Sequence, residues 1–494
     1  MGAQLKTVPW VTETYQHSSK NVSPARTLNL YPEAVKQPAG KVGMILVGTP
    51  GTEIAYDLST HGAATCRGLW YTSTGRLFGV YGVKVIEFPD PLSNGISGIT
   101  VTTVRMQLTA GIAPVSMTDN GKYLVMADGY GIHLYNLTTD LSEDATYTFD
   151  NPTQVRYINN RVVAVNNTNQ FYWSDLGLDG VLNWDALSVA SAESSADSII
   201  SMASRQGDIW LFGERSFEVW RTASNPDLPF SKVGGSSTEI GCGAPGSVAS
   251  IADQVFWLGS STAGKDVVYM SNGYGAKRIS NHAIENLIGS TSDYSKSAVA
   301  FTYQQEGHTF YCLNLIDANR TLVFDLATGL WHERATRDPN SNQQSKWTAI
   351  FSSYAFGRVY VGNGDSPSLL ELKLDKYDEY DGRAIVRIHE GPVLWNNLQI
   401  AQHLEFQVDM ETGVGLQTGQ GSDPQAMLQY SDDSGHTWSS EAWTTIGGIG
   451  TYQTRARWRR LGQSRARVYR LTISDPIKVT ILGGRAGIKP TRRP

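Results

Sequence analysis

Apolar residues in this chain come in runs of four or five, and a turn signal precedes each run. The pattern recurs seven times: Gly75-Arg76 before LFGV, Gly121-Lys122 before YLVMA, Asn160-Arg161 before VVAV, Gly207-Asp208 before IWLF, Asp253-Gln254 before VFWL, Gly307-His308 before TFYCL and Gly357-Arg358 before VYVG. Each turn follows another short apolar stretch, such as RGLWYTS from Arg67, QVRYI from Gln154 or AVAFTY from Ala298. Each run is followed by a third, such as KVIEF, SFEVWRT or TLVFDL. Gly and Asn accept the positive φ of a two-residue hairpin, so every triplet predicts three antiparallel strands. Units spaced by about 40 to 50 residues match the four-stranded blade of a β-propeller. One blade cannot bury both of its sheet faces alone, so blades pack face to face around an axis. The expected fold is all-β, with a propeller of seven blades over residues 42–376. Such a ring closes by pairing an early strand with the last blade, and residues 42–58 are expected to supply it.

The flanks read differently. Residues 1–41, with SSKNVSPARTLNLYPE, are polar and Pro-punctuated, and are expected as an extended N-terminal arm that wraps a neighbour. Residues 377–382 form an acidic connector. In residues 383–494, HLEFQVDM, AMLQYS, EAWTTI, RVYRLTIS and IKVTIL predict a C-terminal β-sandwich with a basic tail.

Composition supports this division. The 49 Gly feed tight turns, and 23 Tyr and 13 Trp suit pleated, half-buried surfaces. No apolar run reaches the roughly 18 residues of a membrane span, and the first residues lack the apolar stretch of a signal peptide. Cys66, Cys242 and Cys312 are too scattered for a disulfide framework, which points to folding in a reducing cytoplasm. The net charge of −5 hides an asymmetry: residues 451–494 hold ten Arg, two Lys and one acid, so they carry +11 and the rest carries −16. A mostly acidic body is a poor general nucleic-acid binder.

Most candidate chemistry dissolves on inspection. Ser431-Asp432-Asp433-Ser434-Gly435-His436-Thr437-Trp438 fits the Asp-box pattern found on sialidase propellers. That pattern is a hairpin device of side chains bonded to a turn, and here it occurs once, outside the repeat. Glycoside hydrolysis needs a carboxylate pair in a cleft, whereas Glu214, Glu218, Asp253, Asp325 and Glu333 sit at turns and strand ends. His282, His308 and His332 have no metal-ligand spacing and are expected at turns or the surface. The glycine-rich stretch Gly48-Thr49-Pro50-Gly51-Thr52 lacks the Lys of a P-loop. No catalytic residue, metal site or cofactor is expected.

The arginine cluster is the one strong local signal. Arg455, Arg457, Arg459, Arg460, Arg465, Arg467 and Arg470 fall within sixteen residues, with Trp458 among them. Alternate positions on a strand share a face. Nucleic-acid contact, a partner patch and a solvated face all suit such a cluster. The acidic body favours a subunit or partner interface made by Arg455, Arg457, Trp458, Arg459, Arg460, Arg465 and Arg467.

Several stretches resemble a known family. They are LNLYPE with the following GTPGTEIAYDL, CRGLWYTSTGRLFGVYG, RSFEVWRTASNPDLPFSKVGGSSTEIGCGAPGSVASIADQVFWLG and RWRRLGQSRARVYRLTISDPIKVTILGG. Together they resemble the packaged-DNA stabilisation proteins, also called tail hub or nozzle proteins, of short-tailed bacteriophages. The resemblance covers most of the chain as pattern and fixes no individual binding residue. It implies a structural virion protein, made in the host cytoplasm, and no enzyme. It also implies a homo-hexameric ring below the portal and adaptor rings that extends the DNA channel, retains the genome and holds a plug or needle and tail fibres or spikes. Duplex DNA would pass without sequence-specific binding. The competing expectations are a propeller-type glycan-binding or glycosidase-like protein and a generic cytoplasmic propeller scaffold.

Overall fold

The turn signals are where the backbone is left-handed. Gln206 and Gly207 have φ of 52° and 82°, Glu306 and Gly307 of 49° and 85°, and Phe356 and Gly357 of 52° and 75°. Asn159–Asn160 and Ala252–Asp253 repeat this pair of positive values. Two consecutive positive φ define the type I′ turn, whose twist matches that of the strands it joins. The structure, a computed structural model, describes residues 5–35, 43–91, 102–109, 111–192, 197–225, 228–236, 238–261, 264–291, 297–395 and 399–491.

Each hairpin opens a sheet. In the first, Cys66–Tyr71, Leu77–Tyr81, Lys84–Phe88 and Thr103–Gln107 pair in sequence order. Six further units follow, with first strands Ser116–Asp119, Gln154–Ile158, Ile199–Arg205, Ala249–Ile251, Ala298–Gln305 and Ala349–Ala355. Each first strand packs against the next, and Ala349–Ala355 returns to Cys66–Tyr71, so the β-propeller closes. Second strands such as Leu77–Tyr81 and Tyr123–Ala127 are buried throughout, because neighbouring units cover both faces. Phe78, Val80, Leu124 and Met126 fill one such interval.

First strands leave one backbone edge without a sheet partner, and buried backbone groups must be satisfied. Side chains of adjacent units do this. Ser116 Oγ accepts from Val155 N (3.1 Å) and donates to Val155 O (3.2 Å). Thr118 Oγ1 accepts from Tyr157 N at 3.1 Å, and Gln154 Oε1 from Met202 N at 2.8 Å. Ser352 Oγ donates to Thr302 O at 2.6 Å.

Ring closure uses Gly51–Asp57, which pairs antiparallel with Ser368–Lys373, Ile54 opposite Leu370. A Cβ at Gly51 would lie 2.3 Å from Asp378 O and 2.8 Å from Lys376 O, so only glycine passes there. Residues 42–58 were expected to act as one closing segment. The structure divides them, because Met44–Gly48 pairs instead with Leu30–Ala34 and Thr480–Pro490. Residues 377–382 are likewise more than a connector. Thr52 Oγ1 donates to the buried Glu379 Oε2 at 2.7 Å, and burial pushes that carboxyl up.

The β-sandwich is built from both ends of the chain. One sheet orders Leu30–Ala34, Met44–Gly48, Thr480–Pro490, Ala401–Met410 and Ala456–Arg459, with Lys6–Val8 on Thr480–Pro490. The other continues from the sixth propeller unit: Leu330–Arg337, Pro24–Leu28, Arg387–Glu390, Ala466–Ile473, Gln425–Ser431 and Ala442–Thr445. Trp10, Phe406, Val408, Leu428, Leu471 and Ile481 fill the space between them. The arm expectation is corrected here: the described residues of 5–35 form strands of the chain's own sheets. Their segments run two to five residues, too short to show a period.

Pro24–Leu28 therefore joins the two domains. It lies parallel to Leu330–Arg337 (Leu28 opposite Glu333) and antiparallel to Arg387–Glu390 (Thr27 opposite His389). Arg26 grips Glu333 with two bonds of 2.9 Å each. Burial pushes the Glu333 carboxyl up, but Arg26 and Arg320 outweigh burial and hold it below the usual range. Asn29, at φ 55°, donates to Ala335 O (3.0 Å) and Val386 O (2.9 Å) and accepts from Ala335 N (2.9 Å).

Removing Arg26 strands a buried carboxylate. Arg26→Ala is expected to lower the unfolding free energy by about 3–5 kcal/mol, and adding Glu333→Gln to restore part of the loss, as read by urea titration. His332 gives a pH test. It is buried against Tyr31 and Phe310, neither ring nitrogen has a hydrogen-bond partner among the described residues, and burial pushes it down to about 3. The unfolded imidazole takes a proton below about pH 6.5 while the folded one stays neutral, so its contribution is complete above that pH and is lost towards pH 3. His332→Leu is expected to gain on the wild type by up to about 1.4 kcal/mol for each pH unit below 6.5. Equal pH slopes for the two proteins in thermal melts would contradict this.

Candidate subunit interface

The strand Ala456–Arg459 sorts the arginine cluster by alternation. Ala456 and Trp458 point into the sandwich core, and Arg457 and Arg459 point to solvent. The strand is the last in its sheet, and its register sets Arg457 opposite Gln407 and Arg459 opposite Glu405. On the far side of Gln407 lies Arg485. Paired residues share a face, so Arg457, Arg459 and Arg485 form one basic surface. Two carboxylates temper it. Glu405 lies 3.8 Å from Arg457 and 3.3 Å from Arg459, and Asp409 lies 3.4 Å from Arg485. Exposed pairs of this kind contribute little to stability. Arg455, Arg460 and Arg465 are exposed and have no ion pair among the described residues. Arg455, Tyr452, Thr412, Asp409 and Arg485 line a groove of about 540 Å³ beside this face.

Two of the expected interface residues are turned inward. The Trp458 ring is buried and its Nε1 donates to Ala442 O at 2.8 Å. Arg467, 1% exposed, makes a fork to Asp432 (Nε–Oδ1 2.6 Å, Nη2–Oδ2 2.8 Å), stacks 4.0 Å from the Tyr430 ring and donates to Leu461 O. Its neighbours in sequence made it look like part of the patch, but its register on Ala466–Ile473 faces the sandwich interior. Arg470 also acts within the fold, 3.6 Å over Trp438 and 2.7 Å from Glu390. Arg455, Arg457, Arg459, Arg460 and Arg465 remain as surface groups.

The Asp box is a hairpin. Asp433 accepts from His436 N (2.9 Å), Thr437 N (2.8 Å), Thr437 Oγ1 (2.6 Å) and Ser431 Oγ (2.6 Å). Ser431 and Thr437 hold its carboxyl well below the usual range, so it stays ionised and occupied by its own turn. Gly435 has φ 90°, and Lys20 Nζ donates to Gly435 O at 3.0 Å, so the N-terminal segment packs on this turn. Of the three histidines considered as ligands, His308 pairs with Asp325 at 2.8 Å and His282 is exposed beside Glu285. His332 lies in the core rather than at a turn or the surface. The three cysteines are buried and unpaired, and burial pushes each thiol up to about 12. Among the described residues no group of three or more His, Cys, Asp or Glu is arranged to hold a metal ion.

Sequence reasoning missed a second surface. The loop 174–188 and the strand Leu141–Asp144 carry exposed Leu141, Leu176, Leu178 and Leu187 with Asp144, Asp175, Asp179 and Asp185. Isolated leucines between aspartates form neither a strand nor a helix period, so the sequence gives no sign of their exposure.

Comparison with known proteins places the chain. A family model described as bacteriophage P22 Gp10, beta-propeller, matches residues 13–377, and one described as bacteriophage P22 Gp10, beta-sandwich, matches residues 387–489. A sequence comparison with curated proteins gives no match. Solved structures similar to this chain include the N-terminal domain of Nup159, 11% identical over 70% of this chain and 98% of that one, with a TM-score of 0.43. The WD40 beta propeller domain of Doa1 is 11% identical over 65% of this chain and 96% of that one, with a TM-score of 0.38. The extracellular domain of the two-component system BT4673 from B. thetaiotaomicron is 12% identical over 80% of this chain and 47% of that one, with a TM-score of 0.42. With both domains matched in order along nearly the whole chain, this protein belongs to the bacteriophage P22 Gp10 family, whose members are structural components of the virion that stabilise packaged DNA.

Proposed function

We propose that this chain is the tail hub, or nozzle, of a short-tailed phage: a ring of six copies below the portal and adaptor rings that extends the DNA channel and retains the genome. The plug or needle and the tail fibres or spikes are its further partners, and it is made in the host cytoplasm before joining the particle. The observation that carries this reading is the sheet that runs without a break from the sixth propeller unit through Pro24–Leu28 into the sandwich. A component that holds pressurised DNA transmits force between neighbours, and a shared sheet makes propeller and sandwich one load-bearing body. The role is non-enzymatic: the Asp-box carboxylate is engaged by its own turn, and Arg457 and Arg459 face outward. Duplex DNA passes without sequence-specific contact, because an acidic body avoids the phosphate grip that would stall ejection.

Quantitative mass spectrometry of purified particles tests this directly. About six copies per portal ring are expected, the number fixed by a closed ring of identical contacts. Particles without the chain, or clear turnover of fluorogenic glycosides by the purified protein, would remove the nozzle reading.

A further inference from the structure

The basic and acidic surfaces belong to different domains, and the ring order separates them. The sandwich joins the ring through Leu330–Arg337 in the sixth unit, and around seven units the second and third are the furthest from it. Residues 116–191, which span those two units, hold nine acidic and three basic residues. The Tyr123 hydroxyl draws Glu143 (3.1 Å) and Asp179 (3.2 Å) together, with Lys122 2.6 Å from Asp179. Asp144, Asp150, Asp175 and Asp185 are exposed and pair with no cation among the described residues. The loop 174–188 is pinned to the second unit: Thr146 N donates to Leu182 O (2.8 Å) and Trp184 N to Thr146 O (2.9 Å). It therefore holds Leu176 at 65% and Leu187 at 85% exposure on an ordered surface. Leucines fixed in water within a rim of carboxylates mark a surface that a partner covers.

The arginine face has the complementary chemistry. Ala456–Arg459 is the last of five strands, four steps or about 19 Å from Leu30–Ala34, the strand whose Tyr31 packs on Phe310 of the propeller. Arg457 and Arg459 thus lie at the sheet edge furthest from that strand. Tyr452, 74% exposed, lines the groove with Arg455 and Arg485 and supplies the apolar part.

From these positions we infer that copies of this chain associate head to tail, the Arg455–Arg457–Arg459–Arg485 face of one sandwich seating on the aspartate- and leucine-bearing loop 174–188 of the next copy. This rests on the ring reading above. A contact between two unlike patches is heterologous, and repeated about an axis it closes as a ring where the rotation between neighbours divides a full turn. Guanidinium groups meet carboxylates in paired bonds, while their stems and Tyr452 cover the leucines.

The test is a charge exchange in particles assembled with each variant as the sole copy, with the chain counted by mass spectrometry. Arg457→Glu with Arg459→Glu, and separately Asp175→Lys with Asp185→Lys, are each expected to cut incorporation about tenfold or more. All four changes together restore it to within about threefold of wild type, because the attraction re-forms with its signs exchanged. Each soluble variant melts as the wild-type monomer does, since all four positions are exposed. Wild-type incorporation of both double variants, or a fourfold variant no better than its parents, overturns the contact and leaves the nozzle reading in place. Absence of the unaltered chain from particles removes both.

Discussion

The structure hangs on one strand of five residues, Pro24–Leu28, that has a propeller on one side and a sandwich on the other. Its backbone satisfies Leu330–Arg337 and Arg387–Glu390 at once, so neither domain has an open sheet edge where they meet. The Arg26–Glu333 fork crosses the parallel side of this junction, and Asn29 turns the chain with a left-handed backbone while bonding both domains. Buried charges of this kind add little net stability over apolar packing but penalise any other arrangement of the same groups. The relation of propeller to sandwich is thereby set by hydrogen-bond register rather than by a linker.

The propeller was legible because its second strands are buried on both faces and so read as unbroken apolar runs behind a turn. Tyr123–Ala127 and Leu77–Tyr81 are examples. The outer strands were not. Leu141–Asp144 is mostly exposed, pairs along one edge and carries two acids in four residues. Closure was half legible: the segment was found, but nothing local says that Gly51–Asp57 joins the ring while Met44–Gly48, just before it, leaves for the sandwich. That choice is made by partners hundreds of residues away. The same holds for residues 5–35, whose polarity suggested an arm.

The candidate interface was legible in composition and only partly in register. Alternation correctly separates Arg457 and Arg459 from Trp458, yet the inward position of Arg467 depends on Asp432 and Tyr430, which lie on a different strand and its turn. Among the arginines, counting charges located a basic surface and overcounted its members. The acidic leucine loop had no sequence signal at all. The Asp box was legible in full, since its bonds are local and its chemistry is that of a turn.

The long-range pairings also bear on how the chain is made. Arg26 and Glu333 are 307 residues apart, Lys6–Val8 pairs with Thr480–Pro490, and the ring needs Gly51–Asp57 to meet Ser368–Lys373. On a ribosome adding ~10 residues per second, the first strands wait about half a minute for their partners. During that wait they are short, polar segments with little tendency to aggregate, which suits a long delay. A chain cut short anywhere before its last strand has neither a finished sandwich nor the surface that strand carries. Synthesis itself thus acts as an inspection step, excluding incomplete copies from any assembly that recognises the folded form.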